Sequence, residues 1–543
     1  MFFVDIGTSV PASPDSSRIR DIEARLCGQA QAIAGQRSSA ALARLERARK
    51  WTAQMRVERL CDPGSPLWYL GEWERFVDGE KSAPRLGVIC VLGTVCGRCV
   101  VIVANDNTVS AGAWWPHTPE KIQRAQKLAL RMRIPVVYLV ECAGLYLPTQ
   151  SQTFAGWSGA GAIFEMQARL NRSGVIQLAA VFGDCVAGGG YMPLLCDRIA
   201  MTESATICIG GAALNRNAHG GEARRLGGPD VHVHHSGCAE KRVPDDASAI
   251  LWLREQVGRL PTSAVDFYRV AEPVDSPYRA EELYDILPCD TSKGYDIRQV
   301  VARLVDGAQI RELHPELGTE IWSCLGLVDG LAVVFVANNA HATQSEDGTW
   351  HPGGVLHAEG VQKMRMICAE ARDDGLPVIW LLDVSGFDIG EEAERAGLLK
   401  HGASLLRELS NDGDAPHLSV VLRKASGAGY YAMKGSPFHP AWTIVTALSR
   451  IEVMSPEVLA ATMYDRKIAS SAEGSPERQR LEALRRETLD RQRASTSVEA
   501  VLERGDVDTF VCLSQLPGAI LTFVHAAYQS VGRPVKPPRL WSV

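Results

Sequence analysis

The chain has 543 residues, 46% hydrophobic and 22% charged, with a formal net charge of −6. That balance describes globular material with ample core, and it argues against a nucleic-acid binder that works by whole-molecule attraction. Fourteen cysteines sit in apolar runs such as "GVICVLG" like reduced core thiols, Met1 is not followed by a basic and then a long apolar region, and no run of about eighteen apolar residues could span a bilayer, so the cytoplasm is the expected compartment.

Residues 1–60 read as an N-terminal segment. The turn-rich "TSVPASPDSS" is expected to be mobile, and two charged helical stretches follow, ending at the turn "DPGS". A first domain is then expected over residues 61–274. Short β-branched runs alternate there with helical patterns, the mark of an α/β fold whose strands are buried on both faces. Cys96 and Cys99 flank Gly97 and Arg98 in an apparent hairpin, and no second pair stands nearby to complete a zinc ribbon.

After the strand "VVIVAND", Thr118 is the expected N-cap and Pro119 the first helical residue of a helix with Ile122, Ala125, Leu128, Ala129 and Met132 on its apolar face. The strand "IPVVYLV" then ends at Glu141, Cys142, Ala143 and Gly144, and ligands in open α/β sheets commonly bind at such carboxyl ends. "AVFGDCVAGGGYMPLLCDRIA" describes a strand stopping at Gly188, Gly189 and Gly190, with a helix beginning near Tyr191. Amides with no intrahelical partner there form donors for a developing oxyanion, although three glycines alone equally describe a tight packed turn. His232, His234, His235 and Cys238 in "DVHVHHSGC" have ligand-like spacing, but a plain loop is the expectation, with a substrate contact as the alternative.

The proline-containing stretch before "YDIRQVVARLVDG" reads as a connector over 275–290, and a second domain is expected over 291–543. The charged run "GSPERQRLEALRRETLDRQRASTS" reads as a surface helix. "YAMKG" imitates the lysine motif of a biotinylated carrier, but Lys434 follows a glycine turn of an α/β pattern and is not expected to be modified.

Residues 93–211 are echoed in order by residues 326–455. "GTVCGRCVVIVANDN" returns as "GLVDGLAVVFVANNA", "RIPVVYLVECAG" as "GLPVIWLLDVSG", and "VFGDCVAGGGY" more loosely as "VVLRKASGAGY", at offsets between 233 and about 244 residues. Two homologous domains sharing one fold are therefore expected.

The glycine turn, helix and "CDRIA" strand of the first half resemble the crotonase superfamily. More closely, most of the chain resembles the carboxyltransferase subunits of biotin-dependent acyl-CoA carboxylases and decarboxylases, which are built from two crotonase-like domains. "VANDNTVSAGAWWP", "LYLPTQSQTF" and "AGGGYMP" are similar to methylcrotonyl-CoA carboxylase β subunits. "YDIRQVVARLVDG" and "VVLRKASGAGYYAM" resemble propionyl-CoA carboxylase β subunits, and "DIGEEAE" resembles the glutaconyl-CoA decarboxylase α subunit.

The resemblance implies roles residue by residue. Amides of Gly188 and Gly189 would hold the thioester oxygen of an acyl-CoA as its enolate forms, and those of Ala428 and Gly429 the ureido oxygen of biotin. The backbone donors at Ala143, Gly144 and Leu145, with Tyr146, Ala187, Gly190 and Tyr191, would line the acyl side; Gly386, Phe387, Gly427 and Tyr430 would line the biotin side. Biotin would arrive on a separate carrier protein, charged by a biotin carboxylase. The site would form between domain one of one subunit and domain two of another, giving a homo-oligomer, a dimer or a hexamer. No metal is expected in this subunit, and no nucleic-acid partner.

With two oxyanion cradles the chemistry needs positioning instead of a side-chain base, and no convincing Ser/His/Asp arrangement is found. Arg44, Arg47, Arg49, Lys50 and Arg56 could receive CoA phosphates, but a solvated helix face is the expectation. Where the family usually has "SGG" or "SGA", this chain has Cys142, Ala143 and Gly144; "HATQSEDGTWHPGGVL" is longer and more polar than the equivalent loop, and "HHSGCAEKRVPDD" lacks the usual residues. A specialised acyl group is therefore expected. The direction, carboxylation or glutaconyl-like decarboxylation, stays open. So do a crotonase-type hydratase, isomerase or hydrolase, for which Glu141 is the nearest base, and an inactive CoA-binding scaffold.

Overall fold

A computed structural model describes residues 3–210, 223–344, 348–411 and 415–530. Gly211 at the end of the first repeat, residues 345–347 of the polar loop, the first two residues of the N-terminal segment and the end of the second expected domain lie outside the described residues.

The chain divides into two compact units: Cys27–Phe267 with a short piece from His525, and Tyr268–Val524 with the residues up to Leu26. The first unit is built on a sheet of eight strands: β1 (Trp68–Leu70), β2 (Val88–Val95), β3 (Arg98–Asn105), β4 (Val136–Cys142), β5 (Gln177–Val186), β6 (Arg198–Thr202), β7 (Thr206–Cys208) and β8 (Lys241–Val243). Their order is β8-β6-β5-β4-β3-β2-β1, with β7 paired to the end of β5. β1, β2 and β3 run antiparallel; every pair from β3 to β8 is parallel.

Alternating helices make those parallel crossovers possible: α1 (Ala53–Leu60), α2 (Thr118–Met132), α3 (Ala160–Arg172), α4 (Gly188–Leu194) and α5 (Asp246–Gly258). One core face gathers Val57 and Leu60 of α1, Ile89, Val91, Val100 and Ile102 of the hairpin, and Leu253 and Val257 of α5. Continuous burial along β4 explains its unbroken apolar run. The five residues expected on the apolar face of α2 are all buried. Its cap lies one residue earlier, at His117 with φ +68, because Thr118 Oγ1 accepts from Trp115 N and donates to Leu86 O instead.

The second unit repeats this order. Its sheet carries β9 (Gln309–Glu312), β10 (Ile321–Val328), β11 (Leu331–Asn338), β12 (Val378–Val384), β13 (His417–Ser426), β14 (Trp442–Val445), β15 (Arg450–Glu452) and β16 (Thr509–Phe510), with Val4–Asp5 added at the β9 edge. The helices are α6 (Ala358–Asp374), α7 (Leu398–Ser410) and α8 (Gly427–Ala432), then a hairpin of α9 (Pro456–Ser470) and α10 (Pro476–Ser495). β9, β10 and β11 run antiparallel, β11-β12-β13-β14 are parallel, and β15 pairs with the end of β13 as β7 does with β5. On α10 only Thr488 is buried.

Both hairpins turn on two residues with positive φ, Cys96–Gly97 and Asp329–Gly330. Asp62 accepts from both amides of the first turn and Asp306 from both of the second. β5 and β13 each hold ten residues and begin at Gln177 and His417, so the glycine turns correspond at an offset of 240, one more than the sequence alignment placed them. The opening segment is held in its unit: Thr8 N donates to Gln299 and Ser13 N to Asp285. The turn-rich sequence read as mobile because these partners lie 291 and 272 residues away.

Candidate active site

In each unit the parallel strands end at the same edge, and the glycine turns lie there. At the end of β5, Ala187 takes φ +50 and ψ −121, its N–H donating to Cys208 O of the β7 branch at 3.0 Å. The chain then enters α4 at once. Among the described residues neither the Gly188 nor the Gly189 amide has an acceptor, whereas Gly190 N is spent on Ala187 O at 3.0 Å. A β-carbon on Gly189 would stand 2.8 Å from Cys142 Sγ and 3.0 Å from Cys142 O, so the backbone of α4 rests directly on β4. Gly190 faces Ile207 and serves packing, and is not aimed at a ligand.

The strand end beside this turn is only partly available. Ala143 N donates to Ala111 O, and Trp114 N and Tyr146 N close a ladder with Gly144 O and Trp114 O. Of the three expected backbone donors, those of Gly144 and Leu145 remain. The Tyr146 ring stacks on Trp115 with centroids 3.7 Å apart and is nearly buried. Tyr191 is exposed; its ring meets Phe164 edge-on at 5.8 Å, and Phe164 in turn packs at 6.1 Å on Trp114. Phe164 and Trp114 approach Gly188 within 3.8 Å of where its β-carbon would be, and form an aromatic wall. Phe164 did not stand out in the sequence, because it lies mid-helix, and Trp114 stood in the family-like run "SAGAWWP" with no role assigned to it.

Glu141 is not a free base. Its carboxylate is buried, with Arg56 Nη1 at 2.8 Å, Asn107 Nδ2 at 3.1 Å and Lys50 Nζ at 3.5 Å. Burial pushes its pKa up, but Arg56 and Lys50 outweigh burial and hold it below the usual carboxylate range. Arg56 also binds Asp246 at 2.8 Å, so Arg56 and Lys50 leave the set of phosphate candidates. Arg44 and Arg47, by contrast, line a cavity of about 790 Å³ together with Arg37, Lys81 and Trp115.

Replacing Arg56 by methionine strands two buried carboxylates and is expected to destabilise the protein by about 3–5 kcal/mol, read by urea unfolding. A depressed folded pKa gives stability that is present above the unfolded value and lost as pH falls through the folded one. The parent should therefore weaken on acidification more steeply than Arg56→Met. An equal slope would show that the pair contributes nothing.

In the second unit, β13 ends at Ser426 and Gly427 turns with φ +56 into α8. Ala428 is exposed and Gly429 buried, and neither amide has an acceptor among the described residues. A β-carbon on Gly429 would lie 2.7 Å from Val384 Cγ2 and 3.1 Å from Gly386 Cα, so Gly386, at φ +137, gives this turn its seat. A cavity of about 600 Å³ opens beside Gly427 and Ala428, walled by Tyr430, Tyr431, Glu452 and Val453. The Phe387 ring packs toward Gly402 of α7, 3.2 Å from where a β-carbon would stand. Tyr430 is buried, its hydroxyl paired with Ser436 Oγ at 2.9 Å.

Asp383, three residues before Gly386 as Glu141 is before Gly144, is likewise buried and ion-paired, to Arg423 Nη2 at 2.6 Å. Lys434 is fully buried and donates to Leu409 O at 2.6 Å. His232 is held by Ile207 O at 2.7 Å and Ser236 Oγ at 2.9 Å.

A family model described as the carboxyl transferase domain matches residues 46–536. The chain is 34% identical over 450 residues to the biotin-dependent 3-methylcrotonyl-coenzyme A carboxylase beta1 subunit of Mycobacterium tuberculosis, covering 81% of this chain and 82% of that one. It is 29% identical over 507 residues to the glutaconyl-CoA decarboxylase subunit alpha of Acidaminococcus fermentans, covering 88% and 85%. The crystal structure of the P. aeruginosa geranyl-CoA carboxylase beta subunit shares the fold, with a TM-score of 0.82 at 24% identity over 98% of both chains.

Proposed function

Because the chain belongs to the carboxyl transferase domain family, we propose that its two glycine turns are the working parts of one reaction, with the acyl-CoA thioester at Gly188–Gly189 and biotin at Ala428–Gly429. The chain is a biotin-dependent acyl-CoA carboxyltransferase. The observation that carries the assignment of the turns is that both present two acceptor-free amides at equivalent positions, each seated on a second glycine or cysteine strand end.

In the first turn Gly188 and Gly189 would hold the thioester oxygen where charge develops on enolisation, with Gly144 and Leu145 nearby and Phe164 and Tyr191, backed by the buried Trp114, against the acyl chain. The cavity bearing Arg37, Arg44, Arg47 and Lys81 suits the phosphates of CoA. In the second turn the 600 Å³ cavity has room for a bicyclic urea beside Ala428. Biotin, when carboxylated on its carrier, supplies the carbon dioxide; this chain orients the two partners and withholds water. Because Glu141 is tied to Arg56 and Lys50, a hydratase-type reading lacks its base.

No helix among the described residues is long and apolar enough to cross a membrane. Large apolar side chains are nonetheless exposed at the carboxyl ends of both sheets: Leu147, Phe154 and Trp157 after β4, and Ile389 and Val453 after β12 and β15. Such patches mark contact surfaces. They support a homo-oligomer in which each turn is covered by another copy, working with a biotin carboxylase and a carrier protein in the cytoplasm. Trp157→Asp and Val453→Asp are each expected to shift the protein to smaller species in sedimentation and to abolish turnover. Small but fully active species would contradict the shared site.

The function is tested by incubating the purified protein with free biotin and malonyl-CoA or glutaconyl-CoA. Loss of the carboxylate should require biotin. Turnover that ignores biotin, or tight CoA binding without turnover on either ester, would contradict the reading.

A further inference from the structure

One charged group beside the second turn has no part in the chemistry above. Lys424 lies on β13 two residues before the strand ends, and its Nζ donates to Ser385 Oγ at 2.9 Å. Ser385 directly precedes Gly386, and its own N–H is fixed by Gly354 O at 2.7 Å. Since Gly429 of α8 packs on Gly386, the lysine–serine bond joins the ends of the two strands whose approach shapes the turn. The neighbouring Arg423 points to the other face and is consumed by Asp383, while Lys424 N donates to Asp383 Oδ1 at 3.2 Å. Lys424 Nζ has no carboxylate partner among the described ion pairs.

The strand registers give Lys424 an exact counterpart in the first unit. Arg450 of β15 stands opposite Lys424 just as Thr206 of β7 stands opposite Asp184. Asp184 accepts from Thr206 Oγ1 at 2.7 Å. One backbone plan thus carries a cation beside the second turn and an anion beside the first, a difference that the shared fold alone does not require.

Resting on the reading of this turn as the biotin cradle, we propose that Lys424 is a positioning residue of the carboxyl transfer, whose ammonium, held by Ser385, fixes the Ala428–Gly429 amides and places a positive charge on the side where the ureido oxygen turns negative. No covalent or proton-transfer step belongs to it. The Lys424–Ser385 bond is exposed in the single chain; once the bound partners and the covering copy exclude water, little solvent screens a fixed cation from developing charge. The charged groups around Lys424 are Asp383, Arg423 and Glu452, with Arg450 opposite it on β15. Burial lowers its pKa, Asp383 and Glu452 oppose that, and Arg423 adds to it. Its charge is accordingly lost at lower pH than that of an ordinary lysine, and the rate should fall with it on the alkaline side.

The test uses the full-length protein with free biotin and malonyl-CoA, following kcat and KM from neutral to alkaline pH. Lys424→Gln is expected to lower kcat about tenfold or more, leave both KM values within about twofold, and remove the alkaline limb. Lys424→Arg should keep most of the rate and carry the limb beyond the measured range, since guanidinium stays charged. A Lys424→Gln protein with parental kcat and pH profile overturns the proposal, and so does a change in KM alone. Should Lys424→Gln fail to assemble, Lys424→Arg decides: an alkaline limb left in place overturns it. A parent protein without biotin-dependent turnover overturns the reading of the turn itself, an outcome distinct from the failure of Lys424.

Discussion

Replacing Gly189 by alanine is expected to lower carboxyl transfer about a hundredfold to a thousandfold while leaving CoA binding nearly unchanged. The new methyl group would stand 2.8 Å from Cys142 Sγ and 3.0 Å from Cys142 O, and the latter is backbone in a fully buried strand. β4 resists displacement, because it is paired with β3 through Leu139 and with β5 as far as Cys142, which stands opposite Cys185. The first turn of α4 must move instead, and with it the two amides of Gly188 and Gly189. Loss of one such donor typically raises a barrier by roughly 3–4 kcal/mol. The basic cavity of Arg37, Arg44, Arg47 and Lys81 is built on other elements, so the affinity for CoA, measured by calorimetry, should hold. Turnover within about threefold of the parent would show that these amides do not face the thioester.

Gly429→Ala is expected to have a loss of similar size, read on the other substrate. Its methyl group would press on Val384 Cγ2 at 2.7 Å and Gly386 Cα at 3.1 Å. Val384 is a side chain with no free space, as it is fully buried, and Gly386 is the seat of the turn. The amides of Ala428 and Gly429 must therefore tilt. Dependence of the rate on free biotin should collapse, while CoA affinity again matches the parent. Had biotin bound elsewhere, its saturation curve would survive the substitution. The two glycine variants thus separate the two halves of the reaction, since each damages one turn and spares the other.

The duplication made much of the architecture legible. Its two glycine turns, two hairpins and two buried strands before each turn stand in the structure in equivalent places. Periodicity also placed α2 and its buried face. What escaped was decided by tertiary contacts. Arg56 and Lys50 read as surface cations because a sequence does not show that Glu141 and Asp246 lie opposite them. Phe164 and Trp114 belong to different elements, and only the fold brings them to Gly188. Ala143 was expected to offer an amide, but a bond to Ala111 O, set by the loop after β3, takes it. Lys424 was hidden in a family-like run, and its meaning comes from Ser385 on the neighbouring strand end.

The central claim is that a carboxyl group passes between a thioester and biotin, and it is tested most directly by following that group. Malonyl-CoA labelled in its free carboxyl carbon is incubated with the protein and biotin, and the label is located after a few turnovers. The expected result is label on the biotin ureido nitrogen with the parent protein, and none with Gly189→Ala or Gly429→Ala. Thioester turnover that leaves biotin unlabelled, at a rate indifferent to its presence, would contradict it.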